Sequence, residues 1–273
     1  MPRLTPQELD AYRRDGLVIP TYRLPDAQLA TLRAALDRLI AANPGVRPEQ
    51  LISAHARPGE GAEKVRGDAA FLDLAHDPAI LDMVEQAIGP DIILWGCQVF
   101  CKPGGDGWEV PWHQDGRYWP IRPLATCTVW VAIDDSTPEN GCMRYIPGSH
   151  DGRVYSHRKD ARPDLALDLV LDDDEIDPRA GRDVVLRAGQ MSLHDIFLVH
   201  GSNANRSPKR RAGVAIRYMP GTSHFDREMF KRSESANGLV VDFGRRPLWL
   251  LRGQDRTGKN DFTVGKTAEP SLT

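Results

Sequence analysis

Between Asp26 and Ala42 the apolar residues Leu29, Leu32, Leu36, Leu39 and Ile40 recur at the spacing of one helical face, and Asn43-Pro44-Gly45 stops the run. That face should pack on a sheet. A second helix opens at Thr5-Pro6-Gln7-Glu8, an N-cap followed by a first-turn proline and a capping-box glutamate, and ends near Asp15-Gly16. "LVIP" then reads as a short strand. A third helix runs from cap Asp77 and Pro78 to Gly89, while residues 45 to 70, polar and rich in Gly and Pro, read as a loop. The first ninety residues are thus mostly helical.

After Pro90 the period changes to short β-like runs, among them "DIILWGCQVFCK", "ATCTVWVAID", "GCMRYIPGSH", "DVVLRAGQMSLHDIFLVHGS" and "RAGVAIRYMP", separated by Gly, Pro, Asp and Asn. Strands without intervening helices predict a sandwich or barrel rather than a parallel α/β sheet. Alternation sorts their faces. Thr126, Thr128 and Trp130 fall opposite Cys127, Val129, Val131 and Ile133; Gln98, Phe100 and Lys102 share a face, as do Arg211, Gly213, Ala215 and Arg217. The apolar faces would carry the helices, and the mixed faces would converge on one interior.

Composition narrows the function classes. A net charge of −3 from 35 basic and 38 acidic residues, interspersed rather than blocked, points to neither a nucleic acid nor an anionic membrane as partner. The amino terminus lacks a signal-type apolar core and no run of about 18 apolar residues follows. The expectation is a cytoplasmic protein. Cys97, Cys101, Cys127 and Cys142 form no CxxC pair and read as buried free thiols. Nothing in the sequence specifies an oligomeric state. The 273 residues read as a single domain: helical support over 1–90, a barrel core over 91–220 and an extension over 221–273.

The chemistry gathers at "WHQD". On extended chain His113 and Asp115, at i and i+2, point the same way and can bind one ion, and His200 from a distant strand would complete a facial 2-His-1-carboxylate set. Such a set leaves the opposite face of an octahedral ion open, as non-haem Fe(II) oxygenases require. The pair alone is weak, since eight histidines among many aspartates produce one readily. Arg211 adds to it: a 2-oxoacid bound to Fe(II) needs its far carboxylate held by a cation, best a guanidinium.

In "WHQD...YWPIRP", "TVWVAIDDSTPENGCMRYIPGSH", "LHDIFLVHGSNAN" and an arginine eleven residues beyond the second histidine, the chain resembles the phytanoyl-CoA dioxygenase superfamily of Fe(II)- and 2-oxoglutarate-dependent oxygenases over roughly residues 90 to 220. The resemblance implies a double-stranded β-helix, a jelly-roll, cupin-like barrel backed by the amino-terminal helices. It makes His113, Asp115 and His200 the iron ligands and Arg211, supported by Ser202, the partner of the 2-oxoglutarate distal carboxylate. Trp130, Thr128 and Gln98 would line the cosubstrate pocket. It implies hydroxylation of an unactivated C–H bond of a small-molecule substrate, consuming O2 and releasing succinate and CO2; the retained Asp115 argues against halogenation, which relatives perform with a small residue there.

Other readings bear on single residues. His194, six positions before His200, would lie about 20 Å away along one extended strand and reads as a packing histidine. Arg210 and Lys209 read as solvent-facing, His150 as a turn residue, and "LDDDEIDP" as a solvated acidic loop. Trp119, Arg117, Lys102 and Arg217 are substrate candidates. Arg217 is expected near the barrel rim, where salt bridges to the acidic loop after Leu171 compete with an anionic substrate group. Two further readings of the whole stand open: a cupin-like metal enzyme without 2-oxoglutarate, and a non-catalytic binding or sensor barrel.

Overall fold

The computed structural model describes residues 3–57, 65–229, 233–234 and 240–264. Helix α1 (Pro6–Asp15) begins on the expected box: the Glu8 amide donates to Thr5 Oγ1, the Thr5 amide donates to the Glu8 carboxylate at 2.7 Å, and Gly16 ends the helix at φ 77°. Strand β1 (Leu17–Val18) follows, then α2 (Asp26–Ala42), which buries Leu29, Leu32, Leu36 and Leu39 as its spacing predicts. Each such leucine contributes about 1.5–3 kcal/mol relative to exposure. Helix α4 (Pro78–Ile88) is capped by Asp77, whose carboxylate accepts from Ala79 and Ile80.

The stretch between them departs from a plain loop. It contains a 3-10 turn over Pro48–Gln50, strand β2 (Leu51–Ile52) and α3 (Ala69–Ala75). Two strand residues and two helical turns are too short to show a period, and only the Asp68 cap marks the helix. Part of this stretch, residues 58–64, lies outside the described residues.

The remaining strands in chain order are β3 (Ile92–Lys102), β4 (Val110–His113), β5 (Ile121–Arg122), β6 (Cys127–Ala132), β7 (Met143–Tyr145), β8 (His157–Lys159), β9 (Leu169–Leu171), β10 (Arg182–Val184), β11 (Met191–Asp195), β12 (His200–Ser202), β13 (Arg211–Pro220), β14 (His224–Phe225), β15 (Ser233–Glu234), β16 (Val240–Val241) and β17 (Trp249–Arg252). A major antiparallel sheet runs β1-β11-β6-β13-β3-β17 with β2 beside β3; a minor one runs β10-β7-β12-β4. The two sheets form an unclosed jelly roll. Cys127, Val129, Val131, Val214, Ile216 and Tyr218 join the helices in the largest core cluster, while Thr128, Trp130, Ala215 and Arg217 line a cavity of about 470 Å³ that residues of the minor sheet also line. Alternation therefore sorts the faces as expected. All four cysteines are free and buried. Among the described residues no helix is long and apolar enough to cross a membrane.

Candidate active site

His113 closes β4, and the extended Gln114 (φ −118°, ψ 132°) brings Asp115, the first residue of a 3-10 turn, to the same side. Gln114 points away and is clamped: its amide donates to Arg153 O and Phe197 O at 2.9 and 2.6 Å, and its oxygen accepts from Tyr155. His200 opens β12 directly opposite His113. Gly201 permits that approach, because a Cβ there would lie 2.9 Å from Val110 O. One donor atom from each of His113, Asp115 and His200 lies within 4.8 Å of the others, and all three residues are buried.

Backbone carbonyls set the tautomers. Nδ1 of His113 donates to Pro111 O at 2.9 Å and Nδ1 of His200 to Leu198 O at 3.0 Å, which leaves each Nε2 available as a ligand atom. Burial, with His113 nearby, pushes His200 down to about 3, so it stays neutral and able to ligate. For Asp115 burial alone would raise the carboxyl, but the imidazoles of His113 and His194, each 3.7 Å from one of its oxygens, hold it well below the usual range.

Arg211 lies at the start of β13, 3% exposed. It donates to Gly141 O at 3.1 and 2.9 Å, Phe100 O at 3.4 Å and Ser202 Oγ at 3.3 Å. None of these partners is an acid, and burial lowers Arg211 to about 10. Trp130 packs beside it, its ring 5.4 Å from Cζ, in space that Gly213 leaves open. Arg210, one residue earlier, points outward to Asp134 at 2.8 Å.

Several expectations are corrected. His194 is not about 20 Å from His200: the rings are 4.8 Å apart, since Asp195 ends β11 in a turn, accepting from Phe197 N at 2.8 Å, and doubles the chain back. Arg217 does not pair with the acidic loop, where Asp173 meets Arg158. It lies inside the cavity, donating to Gln98 Oε1 at 3.0 Å. Lys102 sits outside the cavity lining at the other end of β3, paired in register with Arg211, its ammonium donating to Ser202 O and Asn203 O. Arg117 is exposed at the cavity edge, Trp119 is a buried wall, and Thr128 lines the cavity with its hydroxyl unpartnered. His150, just past the Pro147–Gly148 turn, donates from Nε2 to Arg13 O at 3.1 Å.

Comparison with known proteins bears on this arrangement. The family model for phytanoyl-CoA dioxygenase (PhyH) matches residues 12–213. The chain belongs to the phytanoyl-CoA dioxygenase family. As such it is an Fe(II)- and 2-oxoglutarate-dependent oxygenase. A probable alpha-ketoglutarate-dependent hypophosphite dioxygenase of Stutzerimonas stutzeri is 31% identical over 151 residues, 55% of this chain and about half (52%) of that relative. Ectoine dioxygenase of Bordetella parapertussis is 26% identical over 239 residues, covering 79% of this chain and 75% of the relative. A solved non-heme monooxygenase, ThoJ, superposes with TM-score 0.68 at 28% identity, over 90% of this chain and 84% of its own.

The site's residues fit what the family uses. Two imidazoles with locked Nδ1 and one ionised carboxylate form a donor set suited to Fe(II), and a buried guanidinium without an acid partner suits a dicarboxylate. Sequence reasoning missed His194, Trp95, Phe243 and Arg246, all of which line the same cavity. Trp95 was hidden by a bulge: β13 pairs Arg217 with Gly96 but Tyr218 with Leu94, so strict alternation puts the indole on the wrong face.

Proposed function

We propose that this protein hydroxylates an unactivated C–H bond of a small molecule and couples that oxidation to decarboxylation of 2-oxoglutarate, releasing succinate and CO2. His113, Asp115 and His200 hold Fe(II); Arg211 and Ser202 hold the distal carboxylate of 2-oxoglutarate. The observation that carries this reading is the placement of a buried two-histidine, one-carboxylate set and an acid-free buried arginine in one cavity. The relatives' names, a hypophosphite and an ectoine dioxygenase, support a small-molecule substrate.

Fe(II) held there would offer open coordination positions for 2-oxoglutarate and dioxygen, whose reduction the oxidation of 2-oxoglutarate and of the substrate would balance. The chain's own residues do the positioning. Pro111 O and Leu198 O hold the two imidazoles in one tautomer and orientation. Arg211, itself fixed by Gly141 O, presents a pre-oriented fork to the cosubstrate, and Trp130 limits its movement. Gln98 and Thr128 offer polar atoms to the same chamber, while Val110, Met143 and Ala215 keep its wall apolar and limit water. Purified protein supplied with Fe(II), 2-oxoglutarate and air should release succinate, faster when a substrate is present. A protein that forms no succinate with any of a broad panel of small molecules contradicts the reading.

A further inference from the structure

The cavity has a second cationic end that a cosubstrate at Arg211 leaves unused. Arg217 and Arg246 line it, 9% and 3% exposed. Gly96 joins them: it pairs with Arg217 across β3 and β13, and a Cβ on it would lie 3.4 Å from Arg246 Nη1. Aromatic rings enclose both. Trp95 and Trp119 meet edge to face with centroids 4.5 Å apart, Arg217 Cζ lies 5.7 and 5.0 Å from these two rings, and Arg246 Cζ lies 5.3 Å from Phe243.

Among the described residues no acid is paired with either arginine, and each Nε lacks any hydrogen-bond partner. The acids that face them do so from longer range: Asp115 toward Arg217, already engaged by two imidazoles, and Asp242 toward Arg246. Trp95 Nε1 and Gln50 Nε2, in the same cavity, are buried donors without acceptors. Burial, and then the proximity of Arg217, lowers Arg246 to about 10. A buried cation left without a counter-ion is costly, and so is each orphaned donor.

The charges at the other end close among themselves. Fe(II), the Asp115 carboxylate, a 2-oxoglutarate dianion and Arg211 would carry no net charge together, which leaves Arg217 and Arg246 as two positive charges that no acid among the described residues pairs. Six residues of extended strand separate Arg211 from Arg217, roughly 20 Å of backbone, so one 2-oxoglutarate cannot serve both.

We propose that Arg217 and Arg246 form an anion subsite for the molecule being oxidised, and that this molecule is a small carboxylic acid with an apolar body held by Trp95, Trp119 and Phe243. The inference rests on the proposed function for the charge balance at the Arg211 end and in naming the bound acid as the substrate; the unpaired arginines and their aromatic walls stand without it. Two forked guanidiniums with open N–H groups match the two oxygens of a carboxylate, and the aromatic walls favour an apolar remainder. Gln98 positions Arg217 through the 3.0 Å bond to its Nη2.

The test uses the full chain loaded anaerobically with Fe(II) and 2-oxoglutarate, with phenylacetate, phenylacetamide, 2-phenylethylamine and phenylphosphonate as probes. Binding is read by quenching of tryptophan emission and by the shift in melting temperature. Phenylacetate should bind at least tenfold more tightly than the amide or the amine. Arg217→Gln and Arg246→Gln should each lose tenfold or more of phenylacetate affinity while phenylacetamide affinity changes less than twofold, and Arg246→Lys should recover part of the loss. No preference for the acid in the wild type, or an acid preference that survives both glutamine variants, overturns the proposal; tighter binding of phenylphosphonate overturns the carboxylate assignment. If a glutamine variant does not melt cooperatively, the wild-type comparison and Arg246→Lys decide. The visible absorption of Fe(II) chelated by 2-oxoglutarate, recorded on the same samples, reads the cofactor assignment separately: its absence sinks that assignment, and the acid–amide comparison still decides the subsite.

Discussion

His113 and His200 stand directly opposite each other in the antiparallel pair of β4 and β12, their ring centroids 4.2 Å apart. The register of that pair, which the side-chain-free Gly201 permits, brings two histidines 87 positions apart in sequence onto one edge of the cavity. The metal site is thus a property of strand pairing as much as of the residues themselves.

Arg211→Ala should raise the 2-oxoglutarate requirement at least tenfold, because losing a buried, charge-assisted pair costs about 2–5 kcal/mol. Arg210→Ala should leave it nearly unchanged, since Arg210 is committed to Asp134 on the outside. Titration of 2-oxoglutarate against succinate formation checks both; the reverse pattern would put the anchor one residue earlier.

Gly213→Ala should disturb the same anchor without touching it. A Cβ there would lie 2.1 Å from the Trp130 ring, which must then move off Arg211. Overpacking of this kind costs about 1–3 kcal/mol, and we expect a lower melting temperature together with weaker 2-oxoglutarate binding. A variant that melts and binds like the wild type contradicts the role given to Trp130.

His194 sits 3.7 Å from Asp115 Oδ2 with both ring nitrogens unpartnered. Removing a residue that orients a ligand commonly costs 10–100-fold in metal affinity. His194→Ala should therefore weaken Fe(II) binding about tenfold, measured by equilibrium dialysis, and less than His113→Ala does.

His55 is buried against Trp249 with both ring nitrogens unpartnered, and burial, with Arg246 and Arg217 nearby, pushes it down to about 3. The unfolded chain takes up this proton near pH 6.5, the folded one only near pH 3, so stability present above pH 6.5 is lost as the pH falls through that window, by at most about 1.4 kcal/mol per pH unit. Chemical denaturation from pH 7 to 4 should show a shallower decline in His55→Phe. Parallel curves would mean that His55 titrates normally.

The sequence made the architecture legible where periods are long. The seventeen residues of α2 and the alternation of β6 and β13 assign helix, sheet and buried face without ambiguity. Local spacing pairs His113 with Asp115, the ends of two strand-like runs offer His200 and Arg211, and only the family resemblance names Ser202. What escaped depends on irregularity: the Asp195 turn that folds His194 back toward His200, the bulge that turns Trp95 inward, and the packing that brings Arg246, 29 residues beyond Arg217, against Gly96. Turns and bulges of one or two residues break the period on which such reasoning relies.

The most direct test of the account is anaerobic titration of the metal-free protein with Fe(II) in the presence of 2-oxoglutarate, followed by its visible charge-transfer absorption. The account predicts that the absorption saturates at one Fe(II) per chain in the wild type, disappears in His113→Ala, and requires at least tenfold more 2-oxoglutarate in Arg211→Ala. Wild-type protein without that absorption, or His113→Ala protein that retains it in full, would contradict the assignment of His113, Asp115, His200 and Arg211.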